Sequence, residues 1–93
     1  MLVRICELDL LIYDSNSLKE KRQVINSLIG RIKSRYNVSI AEVGEQDTWN
    51  KSIIGISVVS NNGIMIDKIV TSVINFVDND HRVEIINKKL EIL

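Results

Sequence analysis

The chain predicts an α+β fold, with a four-stranded antiparallel sheet and two helices packed on one of its faces. Three observations lead there. Apolar residues recur at strand spacing in four stretches and at helical spacing in two, in the order strand, helix, strand, strand, helix, strand. The first stretch is apolar on one side and mixed on the other, as in a sheet covered on one face only. The third is the most apolar of all, which places it centrally. This order defines the split βαβ, or ferredoxin-like, βαββαβ arrangement. With 93 residues, the chain is expected to form a single domain spanning residues 1–93.

The elements follow in order. From Met1 to Asp14, the even positions Leu2, Cys6, Leu8, Leu10 and Ile12 form one apolar face, interrupted by Arg4. The odd positions Val3, Ile5, Glu7, Asp9, Leu11 and Tyr13 form the mixed one. Ser17 and Glu20 have capping-box spacing, and a helix follows to about Tyr36. Its apolar stripe holds Leu18, Ile25, Leu28, Ile29, Ile32 and Tyr36, with Val24 at the margin. Gly30 is expected to permit close packing on the sheet, and Asn37 to end the helix in the left-handed conformation. Strands over residues 38–43 and 51–60 flank a polar hairpin loop. Asn61-Asn62-Gly63 is a turn signal before a second amphipathic helix reaching about Val77. Residues 82–93 form the last strand, whose alternation slips near Asn87-Lys88, the mark of a bulge or an edge position.

Composition excludes several classes. Twelve basic residues balance twelve acidic ones, which argues against a strongly nucleic-acid-seeking or membrane-seeking surface overall. One cysteine forms no internal disulfide, and no Cys/His cluster suits structural zinc. No apolar run approaches the roughly 20 residues of a membrane span. A cytoplasmic protein without a cofactor is the expectation.

Charge is nevertheless concentrated. Residues 17–36 hold Lys19, Lys21, Arg22, Arg31, Lys33 and Arg35 against Glu20 alone. Lys19, Lys21 and Arg22 occupy the first helical turn, where the macrodipole disfavours cations. Basic side chains beside free backbone amides suit an anion such as a phosphate backbone or a carboxylate. The alternative is a solvated helix end in which Lys21, within the apolar stripe, runs past the core edge and pairs with an acid. Both remain open at this point.

The sheet lacks the aromatic stacking platform of an RNA-recognition module, since Lys51-Ser-Ile-Ile-Gly-Ile-Ser-Val-Val carries no aromatic residue. Phosphate contacts through the helix need no such platform. Trp49, in or beside the hairpin loop, is either a packing residue or a contact anchor. No nucleophile, base and orienter group together: His81 is isolated in a polar turn and Cys6 lies on an apolar face. An enzyme is therefore not expected. Glu7 and Asp9 share the mixed face of the first strand, and whether they hold a hard cation is left open.

Three blocks, Ser17-Leu-Lys-Glu-Lys-Arg22, Asn37-Val-Ser-Ile-Ala-Glu-Val43 and Asp47-Thr-Trp49, resemble the YlxP-like family of small bacterial proteins of uncharacterised function. The resemblance extends over nearly the whole chain. It implies the ferredoxin-like fold and no established enzymatic activity. It also implies gene neighbourhoods shared with translation initiation and ribosome maturation factors. Many members carry His where this chain has Asn16, so a role for that imidazole does not transfer.

Two functional expectations result. The leading one is a non-enzymatic accessory factor that docks on structured RNA or a ribosomal particle through the six cations of the first helix. The competing one is a homodimeric interaction module using the uncovered sheet face. There Val3, Ile5, Leu11, Tyr13 and Ile53 supply apolar surface that Trp49 extends.

Overall fold

The computed structural model describes residues 1–93. Six elements appear in the expected order: β1 (Leu2–Ile12), α1 (Leu18–Arg35), β2 (Ser39–Gly44), β3 (Lys51–Ser60), α2 (Gly63–Asp78) and β4 (Val83–Ile92). The strands form one antiparallel sheet in the order β2-β3-β1-β4, with β3 and β1 central. This is the ferredoxin-like topology.

Strand alternation decides which side chains enter the core. Cys6, Leu8, Leu10 and Ile12 of β1 and Ile54, Ile56 and Val58 of β3 lie under the helices, with Ile40 and Val83 from the edge strands. Ile25, Leu28 and Ile32 of α1 and Ile66, Val70, Val73 and Val77 of α2 complete a single cluster. Each fully buried aliphatic side chain contributes about 1.5–3 kcal/mol relative to an exposed one.

The caps explain where the helices start. Ser17 Oγ accepts the Glu20 amide, and Glu20 Oε2 accepts the amide of Asn16, one residue before the cap. Asn62 Oδ1 accepts the amides of Ile64 and Met65. The end of α1 differs from expectation. Tyr36 turns into extended backbone at φ −128° with its N–H on the Ile32 carbonyl, and Asn37 has no positive φ. Strand geometry resumes almost at once at Ser39, so no left-handed residue is needed to reverse the chain. Gly30 also departs from expectation: it faces solvent, and a Cβ there would meet nothing within 4 Å.

Two irregularities shape the edges. β2 bulges at Val43, between the Glu42–Ile54 and Gly44–Ile53 pairs. β4 bulges at Ile86, between the Leu10–Ile85 and Asp9–Asn87 pairs, so the slip near Asn87 is both a bulge and an edge position. Beyond that bulge every β4 residue is exposed. The molecule is accordingly elongated, with extents of 42 × 21 × 17 Å.

Candidate nucleic-acid interface

The start of α1 assembles differently from an anion site. Lys21 is fully enclosed. Its Nζ donates to Glu42 Oε2 at 2.8 Å and to the carbonyls of Glu45 and Gln46 at 2.9 and 3.2 Å. Glu42 Oε2 also accepts from the buried Ser52 hydroxyl. All three ammonium protons are therefore used internally, as a buried cation requires. Lys21 is thus removed from the anion-binding set, because reaching an external phosphate would strip those bonds and leave Glu42 unpaired.

Its neighbours are weakly placed for the same task. Arg22 lies 3.8 Å from Asp47, an exposed pair that contributes little energy but offsets the local charge. Lys19 is exposed beside Glu20, whose carboxylate caps the helix. Of the backbone amides there, that of Glu20 is occupied by Ser17 Oγ and that of Asn16, just before the helix, by the Glu20 carboxylate.

The other half of α1 carries its charge freely. Arg31, Lys33 and Arg35 are exposed, and none forms an ion pair with a carboxylate. Lys33 and Arg35 occupy the last turn, where the macrodipole favours cations. The Arg35 guanidinium lies 4.9 Å from the centre of the Phe76 ring, which in turn meets Tyr36 edge-on.

The α2–β4 turn extends this surface. Arg82 grips Asp80 with two parallel bonds, Nε to Oδ1 at 3.0 Å and NH2 to Oδ2 at 2.7 Å, and its NH2 reaches Ser27 Oγ on α1 at 3.4 Å. The Arg82 bonds, with a smaller contribution from Arg31, hold the Asp80 carboxyl below its ordinary range. A shallow cleft of about 350 Å³ lies between helix and turn, lined by Arg31, Phe76, Asn79, Asp80, His81 and Arg82. Its mouth combines guanidinium groups, an imidazole and an aromatic face, the groups that contact phosphates and stack on unpaired bases.

The remaining sites are dispersed. Ile5 is half-buried on the open sheet face, and Tyr13 is exposed at the end of β1, where the Glu84 carboxylate pushes its phenol above the ordinary range. Trp49 is 51% exposed, its carbonyl accepting Ser15 Oγ at 2.6 Å, so the loop is anchored while the indole is left half in water. Trp49 and Tyr13 therefore lie at one end of the sheet, joined through the Ile12 N–H to Asn50 carbonyl bond. Glu7 and Asp9 share the open face, and no group of three His, Cys, Asp or Glu side chains is placed to hold a metal ion. Burial pushes the Cys6 thiol up, away from thiolate reactivity. No helix is long and apolar enough to cross a membrane.

Some of these partners had a signal in the sequence. Glu42 shares the core-facing phase of β2 with Ile40, and Lys21 lies in the apolar stripe of α1. Two opposite charges out of phase with their elements are a pair waiting to be matched. Phe76, Asp80 and Arg82 had none, because only the antiparallel packing of the helices brings them beside Arg31 and Arg35.

A ferredoxin-like domain with one cationic helix end is the class that fold and site define. The chain belongs to the family described as "Protein of unknown function (DUF503)", which matches residues 3–90. It is 37% identical over 83 residues to the "Uncharacterized protein YlxP" of Bacillus subtilis (strain 168), covering 89% of this chain and 90% of that protein.

Proposed function

We propose that this protein is a non-enzymatic accessory factor that docks on structured RNA, with a ribosomal particle as its target, through the C-terminal half of α1. The supporting observation is the contrast along that helix. Lys21 is enclosed and Arg22 is offset by Asp47, whereas Arg31, Lys33 and Arg35 reach solvent without a carboxylate partner. Docking is electrostatic and reads backbone shape, with Arg82 and His81 at the flank of the contact. The interface thus keeps Arg31, Lys33 and Arg35 of the six cations expected from the sequence and leaves out the first-turn cluster.

The test is co-sedimentation with ribosomal subunits from a gentle lysate at low and moderate salt. Wild type is expected to travel with a subunit at low salt and dissociate as salt rises. The Arg31→Glu/Lys33→Glu/Arg35→Glu variant is expected to stay at the top of the gradient, while Lys19→Glu/Arg22→Glu largely retains binding. Absence of wild type from every particle fraction would refute the proposal.

The open sheet face supports a second reading, self-association. Val43 and Val59 are more than half exposed there, beside half-buried Val3, Ile5, Leu11 and Ile53. Glu7, Asp9 and Lys51 interrupt that apolar surface, which makes it the weaker support.

A further inference from the structure

The outer edge of β4 has a self-complementary pattern on residues 88–92, and we propose that it pairs with the same edge of a second copy of this chain. The inference concerns a different surface from the α1 ridge and does not depend on it.

β4 is an edge strand, and its outer rim lies open beyond the Ile86 bulge. The Leu93 N–H to Val3 carbonyl bond sets the phase of the β1–β4 ladder. Odd residues from Asn87 onward therefore direct their backbone groups at β1. Lys88, Leu90 and Ile92 present theirs outward, with no strand to receive them. The other edge, β2, is shorter and bulged at Val43, which makes it a poorer template.

The side chains select the register. Leu90 lies opposite Cys6 and Ile92 opposite Arg4, on the helix-covered side of the sheet, yet they are 57% and 75% exposed because no helix reaches them. Lys89 and Glu91 lie opposite Glu7 and Ile5, on the open side. A two-fold axis at Leu90 places Leu90 against Leu90 and Lys88 against Ile92, each pair exchanging both backbone bonds. The same axis sets Lys89 against Glu91 twice, at the non-bonded positions where strands approach to about 4.5 Å between Cα atoms. Moving the axis by one residue opposes Lys89 to Lys89 or Glu91 to Glu91. Moving it to residue 88 opposes Lys88 to Lys88, and moving it to residue 92 leaves Lys89 and Glu91 unmatched. Lysines on an edge ordinarily discourage pairing. Here Glu91 makes one register favourable while the others oppose like charges or leave both unmatched, which is specificity by charge. The product is a continuous eight-stranded sheet with all four helices on one side.

Sedimentation velocity on the full chain at about 50 µM, within reach of a micromolar dimer, tests this. Wild type is expected at twice the 10.6 kDa chain mass. Lys89→Glu and Glu91→Lys are each expected to weaken the dimer about tenfold or more, through like charges at the closest positions. Mixing those two variants is expected to restore a dimer, since every opposed pair is then of opposite sign, and this rescue confirms that both are folded. Val59→Glu, on the open face, is expected to leave the dimer intact. A monomeric wild type, single variants that dimerise normally, or a mixture that stays monomeric would each overturn the proposal. Loss of the dimer in Val59→Glu alone would overturn it in favour of the open face.

Discussion

The Lys21 ammonium and the Glu42 carboxylate meet at 2.8 Å beneath the β2–β3 loop, with the lysine side chain wholly excluded from solvent. This contact joins α1 to the edge of the sheet. It also positions the loop, because the remaining two protons of Lys21 hold the carbonyls of Glu45 and Gln46, and Glu45 adopts a positive φ of 57° there.

Removing one member of that pair is expected to destabilise the fold strongly. Lys21→Ala leaves a partly buried carboxylate without its counter-ion and the Gln46 carbonyl without a donor, at a cost of about 3 kcal/mol. Lys21→Met with Glu42→Leu is expected to recover most of the loss, because neither charge is then left alone. Urea unfolding of the two variants distinguishes these outcomes, and a Lys21→Ala loss below about 1 kcal/mol would contradict the enclosed geometry.

The RNA proposal carries a quantitative consequence in salt. If Arg31, Lys33 and Arg35 each contact a duplex phosphate, the slope of log K against log salt should fall by roughly 0.9 for each one removed. Single replacements by Gln, measured against ribosomal RNA fragments at several salt concentrations, check this. An unchanged slope in all three would place the contact elsewhere.

Acid should weaken the tie between the α2–β4 turn and α1. Asp80 is held below its ordinary carboxyl range by Arg82, so its pairing contributes stability that is fully present above the unfolded value of about 3.9. That contribution is lost as pH falls through the depressed folded value. Asp80→Asn should therefore lower stability near neutrality and flatten its decline on acidification, as read by thermal unfolding at a series of pH values. A variant whose acid profile superimposes on wild type would exclude the linkage.

Gly30 offers a stabilising change. It lies inside α1, exposed, and open space surrounds the position of its missing Cβ. Gly30→Ala is expected to raise stability by about 0.5–1 kcal/mol through helix propensity. Denaturant midpoints measure it, and a decrease would reveal a contact that the packing does not show.

Much of the fold was legible in one dimension because it rests on local period. Alternation in β1 and the 3.6-residue stripe of α1 each state which side is dry, and Ser17 with Glu20 marks the helix start by a contact spanning three residues. The helix end was less legible. Asn37 suits a left-handed turn, but the strand that follows required only an extended Tyr36. The candidate site was legible as a set of charges and illegible as a geometry. The apolar stripe sets Lys21 apart from Arg31, but only the fold supplies the Glu42 carboxylate and the two carbonyls that enclose it.

Sequence alone determined the element order, the buried faces and the concentration of positive charge on one helix, since periodicity and composition act over a few residues. Tertiary structure alone decided which of those charges face water, which edge of the sheet stays open, and that Phe76, Asp80 and Arg82 stand beside Arg31 and Arg35. The physical reason is desolvation. Whether a cation is enclosed with its partners or left in solvent depends on groups tens of residues away, and only the packed sheet and helices bring them within bonding distance.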